Sequence, residues 1–297
     1  MNRVLTWGRQ RSGVLGTSDD GEREVPLQSP CAVGGALAGR AVLQVCCGEL
    51  HTLALSDGGA AFSWGSGLMG ALGHGGRQDE CAPRHLASLP FVSALAAGKH
   101  HSAALCPDGG GVVYCWGWDG WEASSCQKTP QRAPHLDGVG VRQIAAGAFH
   151  LAALTASDGV TTAGGGLVQE GVLSGVGILQ LAAGARHTAA LAVDGTVYCW
   201  RHAAAARAGT PTALPLPASA VACASLRGAT RIACTYDFVL ALVAGADGTH
   251  ALRWQRVGDA AAPEAAECGS VRVPAAEGLC AGGGRAVLLL HDGSALC

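Results

Sequence analysis

Apolar and polar positions along this chain alternate in blocks of one recurring design. The clearest block, residues 181–200, reads LAAGARHTAALAVDGTVYCW. A short apolar run narrows to small side chains, a second apolar run ends at Asp194-Gly195, and a third run is rich in β-branched and aromatic residues. An Asp-Gly pair between two such runs favours a type I′ hairpin, because both central residues need a positive φ and glycine adopts it without steric cost. The block therefore predicts three antiparallel strands.

The block occurs six times, with starts at Val45, Leu95, Ile144, Leu181, Ile232 and Leu279. Each copy contains the hairpin pair, at Asp57-Gly58, Asp108-Gly109, Asp158-Gly159, Asp194-Gly195, Asp247-Gly248 and Asp292-Gly293. Most units are about 50 residues long, within the range of repeat lengths that indicates propellers and solenoids. That length leaves room for a fourth strand in each unit, for which residues 25–27 and 212–216 are candidates. Small residues before the glycine of a unit, as in Ala96-Ala97-Gly98, indicate crowded innermost strands.

Both ends of the chain are half units. Residues 4–16 match the back half of the first unit, residues 62–73, whereas the chain ends on a front half in which Cys297 aligns with Cys199. N-terminal strands that complete the last blade would leave no sheet edge open. The sequence therefore predicts an all-β fold, a closed β-propeller of six blades that forms a single domain over residues 1–297.

These motifs resemble those of the regulator of chromosome condensation repeat family. Its blades carry a Gly-x-x-His-(Thr/Ser)-x-x-Leu run, an Asp-Gly turn, an aromatic-Trp-Gly strand and a Gly-x-Leu-Gly tail, and the resemblance extends from Val4 to Cys297. It is most specific in the first, second and fourth units. The fifth and sixth units are interpreted as having Asp237 and Arg285 in place of the histidine. The family usually has seven blades, so a seventh blade that is missing here is the alternative to six.

Composition suits one self-sufficient domain and argues against several function classes. A chain of this length buries roughly 75% of the surface that its unfolded form exposes, and its 45 glycines suit turns and close inner strands. Charged residues make up 14% and the net charge is −2, which disfavours electrostatic binding to nucleic acid or to an anionic membrane. No signal peptide or membrane-spanning run is expected. The chain is therefore interpreted as a monomeric protein of the cytoplasm or nucleus.

Residues that could carry chemistry are better explained by structure. The 13 cysteines include no Cys-x-x-Cys pair, so they are expected to be reduced apolar fillers rather than zinc ligands or disulfides. The histidines three residues after the unit glycine are expected to bond the local backbone rather than act as bases or ligands: His51, His101, His150 and His187. The glycine triplets 164–166 and 282–284 lack a following Lys-Ser/Thr and are expected to be turns rather than phosphate loops. No catalytic residue, metal or cofactor is therefore predicted.

A binding surface is predicted where the repeats differ from one another. Trp116 aligns with Trp64 and Trp200 and is expected to pack, whereas Trp118 and Trp121 have no counterparts and either pack within their loop or anchor a partner. The family has light-sensing plant members, and resemblance to them implies that the two residues between glycine and histidine face one end of the propeller. This chain lacks their tryptophans at those positions, so light sensing is not expected. The positions predicted to bind a partner are Glu49, Lys99, His100, Phe149, Arg186 and Tyr236.

The function predicted from these features is a non-catalytic scaffold for protein–protein interaction. The resemblance implies an alternative, guanine nucleotide exchange on a small GTPase, which would need a projecting element; residues 203–230 are the one available stretch. A third hypothesis is that the chain is a fragment of a larger protein with a ubiquitin-ligase or kinase domain.

Overall fold

The structure, a computed structural model, describes residues 4–18, 27–118, 126–157, 159–164, 167–173, 175–202, 221–257, 267–282, 285–292 and 294–296. Regular structure in these residues is almost entirely β-strand. One helical turn, α1 (Asp108–Gly111), and the 3-10 turns Gly35–Leu37, Leu68–Gly70, Pro134–Leu136 and Ala224–Leu226 lie in connections. The chain forms two compact units, unit 1 with residues 1–149 and 164–166, and unit 2 with residues 150–163 and 167–297. The single domain over residues 1–297 stays a prediction.

Unit 1 contains two four-stranded antiparallel sheets built from the first two repeats. The first sheet has the order β3 (Val42–Cys47), β4 (His51–Ser56), β5 (Ala61–Gly65) and β6 (Glu80–His85). The second has β7 (Ala94–Ala97), β8 (His101–Cys106), β9 (Val112–Gly117) and β10 (Gln127–Arg132). A two-stranded sheet of β1 (Leu5–Gly8) and β2 (Leu27–Ala32) precedes them, and β11 (Val141–Ala146) follows.

Unit 2 begins within the third repeat, with β12 (Leu151–Thr155), β13 (Val160–Gly164) and β14 (Leu167–Val172). The fourth repeat forms β15 (Ile178–Ala183), β16 (His187–Ala192), β17 (Val197–Arg201) and β18 (Val221–Ala222). The fifth forms β19 (Ala229–Cys234), β20 (Phe238–Ala244), β21 (His250–Arg256) and β22 (Cys268–Val273). The sixth forms a three-stranded sheet of β23 (Ala276–Gly282), β24 (Arg285–Leu290) and β25 (Ala295–Leu296). That the terminal half units share one blade stays a prediction.

Two fourth-strand candidates lie partly or wholly outside the described residues. β2 is described from Leu27 onward, and the other two residues of the candidate 25–27 are not described. The outer strand of the fourth repeat is β18, whereas residues 212–216 lie outside the described residues. Outer strands are largely exposed, so they carry little of the apolar signal from which a strand is predicted.

The Asp-Gly turn of the fourth repeat forms a hairpin by a different geometry from the predicted type I′. Gly195 has a φ of 78°, but the described positive-φ residues other than glycine do not include Asp194. The N–H of Gly195 donates to the carbonyl of Ala192 (3.0 Å), and the N–H of Thr196 donates to the Asp194 carboxylate (2.9 Å). A type I turn closed by a left-handed glycine explains the pair, with aspartate as a local acceptor.

The cores of both units lie between neighbouring sheets. In unit 1, Leu53 of β4, Leu95 of β7 and Trp116 of β9 belong to one buried cluster. In unit 2, Leu191 of β16 and Val239 of β20 belong to another. β4, β8 and β16 are buried at every residue, because a strand covered on both faces has no solvent side. That explains why these strands are nearly continuous apolar runs in the sequence.

Candidate functional site

The histidine of the repeat is a buried link to the next repeat. His51, His101, His150 and His187 are each at most 5% exposed. The Nε2 atom of His51 lies 3.0 Å from Ser102 Oγ, and that of His150 lies 3.0 Å from Thr188 Oγ1. The bond that the structure shows for these two residues is therefore to a side chain of the next repeat, whereas the prediction was a bond to the local backbone. Their partner is the hydroxyl that follows the histidine of the next repeat, which only the stacking of sheets brings close.

Burial keeps this histidine neutral. The pKa of His51 is lowered to about 3, chiefly by loss of hydration and also by the neighbouring His101 and His100. The hydroxyl of Ser102 donates its hydrogen to the carbonyl of Ala71 (2.8 Å), so it accepts from His51 Nε2–H. A neutral ring with its Nε2–H engaged in this way is suited to a structural role.

The glycine of Gly-x-x-His is required because the imidazole ring lies over it. A Cβ at Gly48 would collide with the ring of His51 and would lie 2.6 Å from the carbonyl oxygen of Gly98. In the fifth repeat, Cys234 pairs with Val239 as Ala183 pairs with Thr188. This register puts Phe238, not Asp237, at the histidine position, so that sequence assignment was wrong.

The tryptophan of one repeat is held by the Gly-x-Leu-Gly tail of the repeat before it. Trp64 Nε1 donates to the carbonyl of Val14 (3.0 Å), and Trp116 Nε1 donates to that of Ala71 (2.8 Å). A Cβ at Gly16 would lie 2.7 Å from Trp64 Nε1, which explains why the tail ends on glycine. Trp116 is 2% exposed and packs, as expected.

A glutamine four residues before the unit glycine is a structural residue that the sequence analysis missed. Gln44 Nε2 donates to the carbonyl of Leu95 (2.9 Å), and the N–H of Leu95 donates to Gln44 Oε1 (2.8 Å). Gln180 makes the same pair of bonds to Ile232 at 2.9 and 3.0 Å. Each side chain thereby saturates the free edge of the next inner strand. The recurrence of glutamine at residues 44, 143 and 180 was the available signal.

The loop residue after each glycine is fixed through its backbone. In unit 1 the N–H of Glu49 donates to the carbonyl of Lys99, and the N–H of Lys99 donates to that of Ala148, both at 3.3 Å. In unit 2 the N–H of Ala185 donates to the carbonyl of Tyr236 (3.2 Å). Because only backbone atoms bind the frame, the side chains at this position vary without disturbing it.

Five predicted binding residues of unit 1 form one connected group, which we call the rim cluster: Glu49, Lys99, His100, Trp118 and Phe149. The Glu49 carboxylate lies 3.5 Å from Lys99 Nζ and 3.4 Å from His100 Nε2. Lys99 Nζ lies 5.8 Å from the centre of the Phe149 ring. The Trp118 ring stacks on His100 (6.0 Å between centroids) and meets Phe149 edge to face (6.4 Å).

Trp118 is the half-buried centre of the rim cluster. Its backbone N–H donates to the carbonyl of His100 (2.9 Å), which holds the indole against that imidazole. Its Nε1 atom is buried and has no hydrogen-bond partner within the part of the chain that the structure describes. Loop packing is therefore one role of this tryptophan, and partner anchoring stays a prediction. Trp121 lies outside the described residues.

The charge on the rim cluster depends on His100. Burial is the main cause that lowers the pKa of His100, and Lys99 lowers it too, whereas Glu49 acts in the opposite direction. His100 is therefore mostly neutral at neutral pH, and Lys99 supplies the positive charge beside Glu49. The side chains of Glu49 and Lys99 are 37% and 29% exposed, so their ion pair contributes only about 0–1 kcal/mol to stability.

Arg186 and Tyr236 occupy the corresponding loops of unit 2. Arg186 is exposed, and its carbonyl accepts a hydrogen bond from the N–H of His202 (2.7 Å). Tyr236 is 43% exposed. Both side chains are available to a partner on the surface of that unit.

Neither a metal centre nor a membrane helix is found in the described residues. No group of three or more His, Cys, Asp and Glu there could hold a metal ion. No described helix has the length and apolar character needed to cross a membrane.

Six such repeats of antiparallel strands define a β-propeller, and histidine, tryptophan and glutamine side chains link several of them to a neighbouring repeat. A family model described as the regulator of chromosome condensation (RCC1) repeat matches residues 2–55 and 58–105, and a second model of the same description matches 42–71 and 178–200. These stretches of the chain therefore carry repeats of the RCC1 type.

Two curated relatives match part of the chain. The ultraviolet-B receptor UVR8 of Arabidopsis thaliana is 34% identical over 160 residues, which is 51% of this chain and 35% of the receptor. The probable E3 ubiquitin-protein ligase HERC3 of Homo sapiens is 38% identical over 116 residues, 38% of this chain and 10% of the ligase. The matched stretch is therefore about a third of the receptor and a tenth of the ligase.

Two solved structures share the fold. Yeast RCC1 (Prp20), in a crystal structure with Kap60, has a TM-score of 0.72 at 20% identity, with 99% of this chain and 77% of that one covered. Prp20p from Saccharomyces cerevisiae, in a structure described with its binding properties to Gsp1p and histones, has a TM-score of 0.54 at 18% identity, with 95% and 89% covered.

Proposed function

We propose that this chain is a non-catalytic protein-binding module whose rim cluster holds a protein partner. The observation that carries the proposal is that the side chains linking the repeats recur, whereas the side chains of the rim cluster differ from repeat to repeat. Histidine, tryptophan and glutamine side chains link the repeats by the same bonds, whereas the residue after the glycine is Glu49, Lys99 or Ala148 in unit 1. A rigid scaffold with variable loops is the usual arrangement of a binding surface.

The chemistry of the rim cluster suits a protein surface. Trp118 and Phe149 supply a half-buried aromatic centre, and Glu49 and Lys99 supply opposite charges next to it. Protein interfaces combine aromatic anchors at their centre with a polar rim. The proposal is of a monomer without a nucleic-acid or membrane partner, in the cytoplasm or nucleus.

Guanine nucleotide exchange on a small GTPase is the second candidate function. It is favoured by the likeness in fold to Prp20p, a protein described by its binding to Gsp1p and histones. Release of fluorescent GDP from a panel of small GTPases tests this candidate directly. Acceleration of release by this chain at catalytic concentration would replace the scaffold proposal with exchange activity.

Site-specific crosslinking tests the position of the binding surface. A photoreactive amino acid is placed at Lys99, in the rim cluster, or at Asp57, in the hairpin at the other end of β4. After irradiation in the native cell, the crosslinked proteins are identified by mass spectrometry. We expect one protein crosslinked from residue 99 and not from residue 57.

The captured protein is then purified and titrated against the unmodified chain and the Glu49→Ala/Lys99→Ala variant. We expect the double variant to lose at least tenfold in affinity while its melting temperature stays within about 2 °C, because the exposed pair contributes little to folding. Equal crosslinking from residues 57 and 99, or unchanged affinity of the double variant, would contradict the proposal.

A further inference from the structure

Two buried thiols of unit 2 lie closer than van der Waals contact. Cys199 of β17 and Cys223, directly before the 3-10 turn Ala224–Leu226, have their Sγ atoms 3.0 Å apart. A disulfide bond is about 2.05 Å long, so a shift of about 1 Å would join the two atoms. Cys199 is 9% exposed and Cys223 is 2% exposed.

The fourth repeat has both cysteines of this pair, whereas the second repeat has only one of them. The N–H of Cys223 donates to the carbonyl of Val197 (2.7 Å), and the N–H of Ala133 donates to that of Val113 (2.8 Å). Cys223 and Ala133 are therefore equivalent positions. Cys115 and Cys199 are also equivalent, since each directly precedes the repeat tryptophan. Cys115 is thus a cysteine in the same site with alanine in place of the second thiol.

The thiol pair lies beside a short outer strand. Among the described residues, β18 has two residues and pairs with β17 through Tyr198 with Ala222 and Cys199 with Val221. By comparison, β22 pairs with β21 through six residues. A covalent bond from β17 to Cys223 would tie this short strand to the sheet in a way that its few hydrogen bonds do not.

The two thiols are not equivalent as nucleophiles. The Cys223 thiol donates a hydrogen bond to Cys199 Sγ, which lowers the pKa of Cys199 and raises that of Cys223. Burial raises the pKa of Cys234, which belongs to the same core. Cys199 is also the more exposed member of the pair. The first attack on an oxidant is therefore expected from Cys199.

We propose that Cys199 and Cys223 form an oxidation site, at which a peroxide converts two thiols into a disulfide that anchors β18. Cys199 sulfur attacks one oxygen of hydrogen peroxide, the O–O bond breaks, and sulfenic acid and one water form. Cys223 sulfur then attacks Cys199 sulfur, the S–O bond breaks, and the disulfide and a second water form. The two thiols together lose two protons and two electrons, and these reduce one peroxide to two waters.

The test uses the full chain, reduced and then exposed to hydrogen peroxide in slight excess. Remaining thiols are alkylated, and the digest is read by mass spectrometry. We expect a peptide crosslinked through Cys199 and Cys223, and Cys115 alkylated to the same extent as in the untreated protein. We also expect the melting temperature of the oxidised chain to rise by about 5 °C and to return after reduction, because the bond closes a loop through residues 200–222.

Variants separate this pair from a general reactivity of cysteines. Cys199→Ala and Cys223→Ala are each expected to abolish both the crosslinked peptide and the rise in melting temperature, whereas Cys115→Ala leaves both unchanged. The disulfide map of the chain without substitutions tests the proposal even if a variant does not fold. Alkylation of both Cys199 and Cys223 after peroxide treatment, or their linkage to other cysteines, would overturn the proposal.

Discussion

Replacement of Gln44 by alanine is the most direct test of how the repeats are joined. The Gln44 amide makes two hydrogen bonds to the backbone of Leu95, at 2.9 and 2.8 Å, across 51 positions of sequence. Leu95 lies on the inner edge strand β7 and is 1% exposed. The alanine variant removes both bonds and leaves the N–H of Leu95 without its partner, whereas the carbonyl of Leu95 keeps the Cys46 thiol (3.2 Å).

The expected loss in the free energy of unfolding follows from the two hydrogen bonds. Each contributes about 1 kcal/mol net, and a buried N–H left without a partner costs about 1 kcal/mol more, so we expect a loss of about 2–3 kcal/mol in the free energy of unfolding. Gln131→Ala is the matched control, because the bond that the Gln131 amide makes within the described residues is to the exposed Thr129 side chain. We expect the control to change stability by less than about 0.5 kcal/mol.

Urea unfolding followed by tryptophan fluorescence measures the loss, and hydrogen exchange locates it. In Gln44→Ala the amide of Leu95 should exchange faster relative to the amide of Leu105 on the neighbouring strand β8. Unchanged protection at Leu95, with stability within 0.5 kcal/mol of the parent chain, would refute the idea that the glutamine seals this edge.

Three further substitutions or conditions test the frame and the rim. Gly98→Ala should lower the free energy of unfolding in urea by about 3 kcal/mol or more, because the added Cβ would collide with the ring of His101. Gly58→Ala should be nearly neutral, because a Cβ there meets no atom within 4 Å. Lys99→Ala should change stability by less than about 1 kcal/mol, and a larger loss would mean that the rim is part of the core. The free energy of unfolding should fall as the pH drops below about 6.5 towards 3, by on the order of 1 kcal/mol per pH unit. The reason is that His51 has a pKa of about 3 in the folded chain, so in this range the proton binds to the unfolded chain. His51→Gln should flatten that slope, and an unchanged slope would assign the acid sensitivity to other groups.

The fold class follows from sequence because its signals are local and repeated. The run from Leu181 to Trp200 overlaps the strands β15, β16 and β17 in the predicted order, and six copies of the run imply a propeller. Trp116 was predicted to pack from its alignment alone. The outer strands were harder, since β18 is two exposed residues with no apolar alternation.

The membership of the rim cluster could be predicted only in part. Glu49, Lys99, His100 and Phe149 were predicted from their place between the glycine and the histidine of a repeat, because the equivalent loops of successive repeats lie at the same end of the unit. The contacts of Trp118 with His100 and Phe149 were not predictable. They depend on how far two loops approach, which no pattern within one repeat encodes.

The sequence by itself determined the repeat, its inner strands and its hairpins, because alternation, glycine and aspartate act on the backbone within a few residues. The tertiary structure alone decided what each repeated side chain binds. His51 reaches Ser102, Trp116 reaches Ala71 and Gln44 reaches Leu95, all about one repeat away. Such partners meet only when sheets stack, so hydrogen-bond geometry between repeats, and with it the shape of the rim, is a property of packing rather than of local sequence.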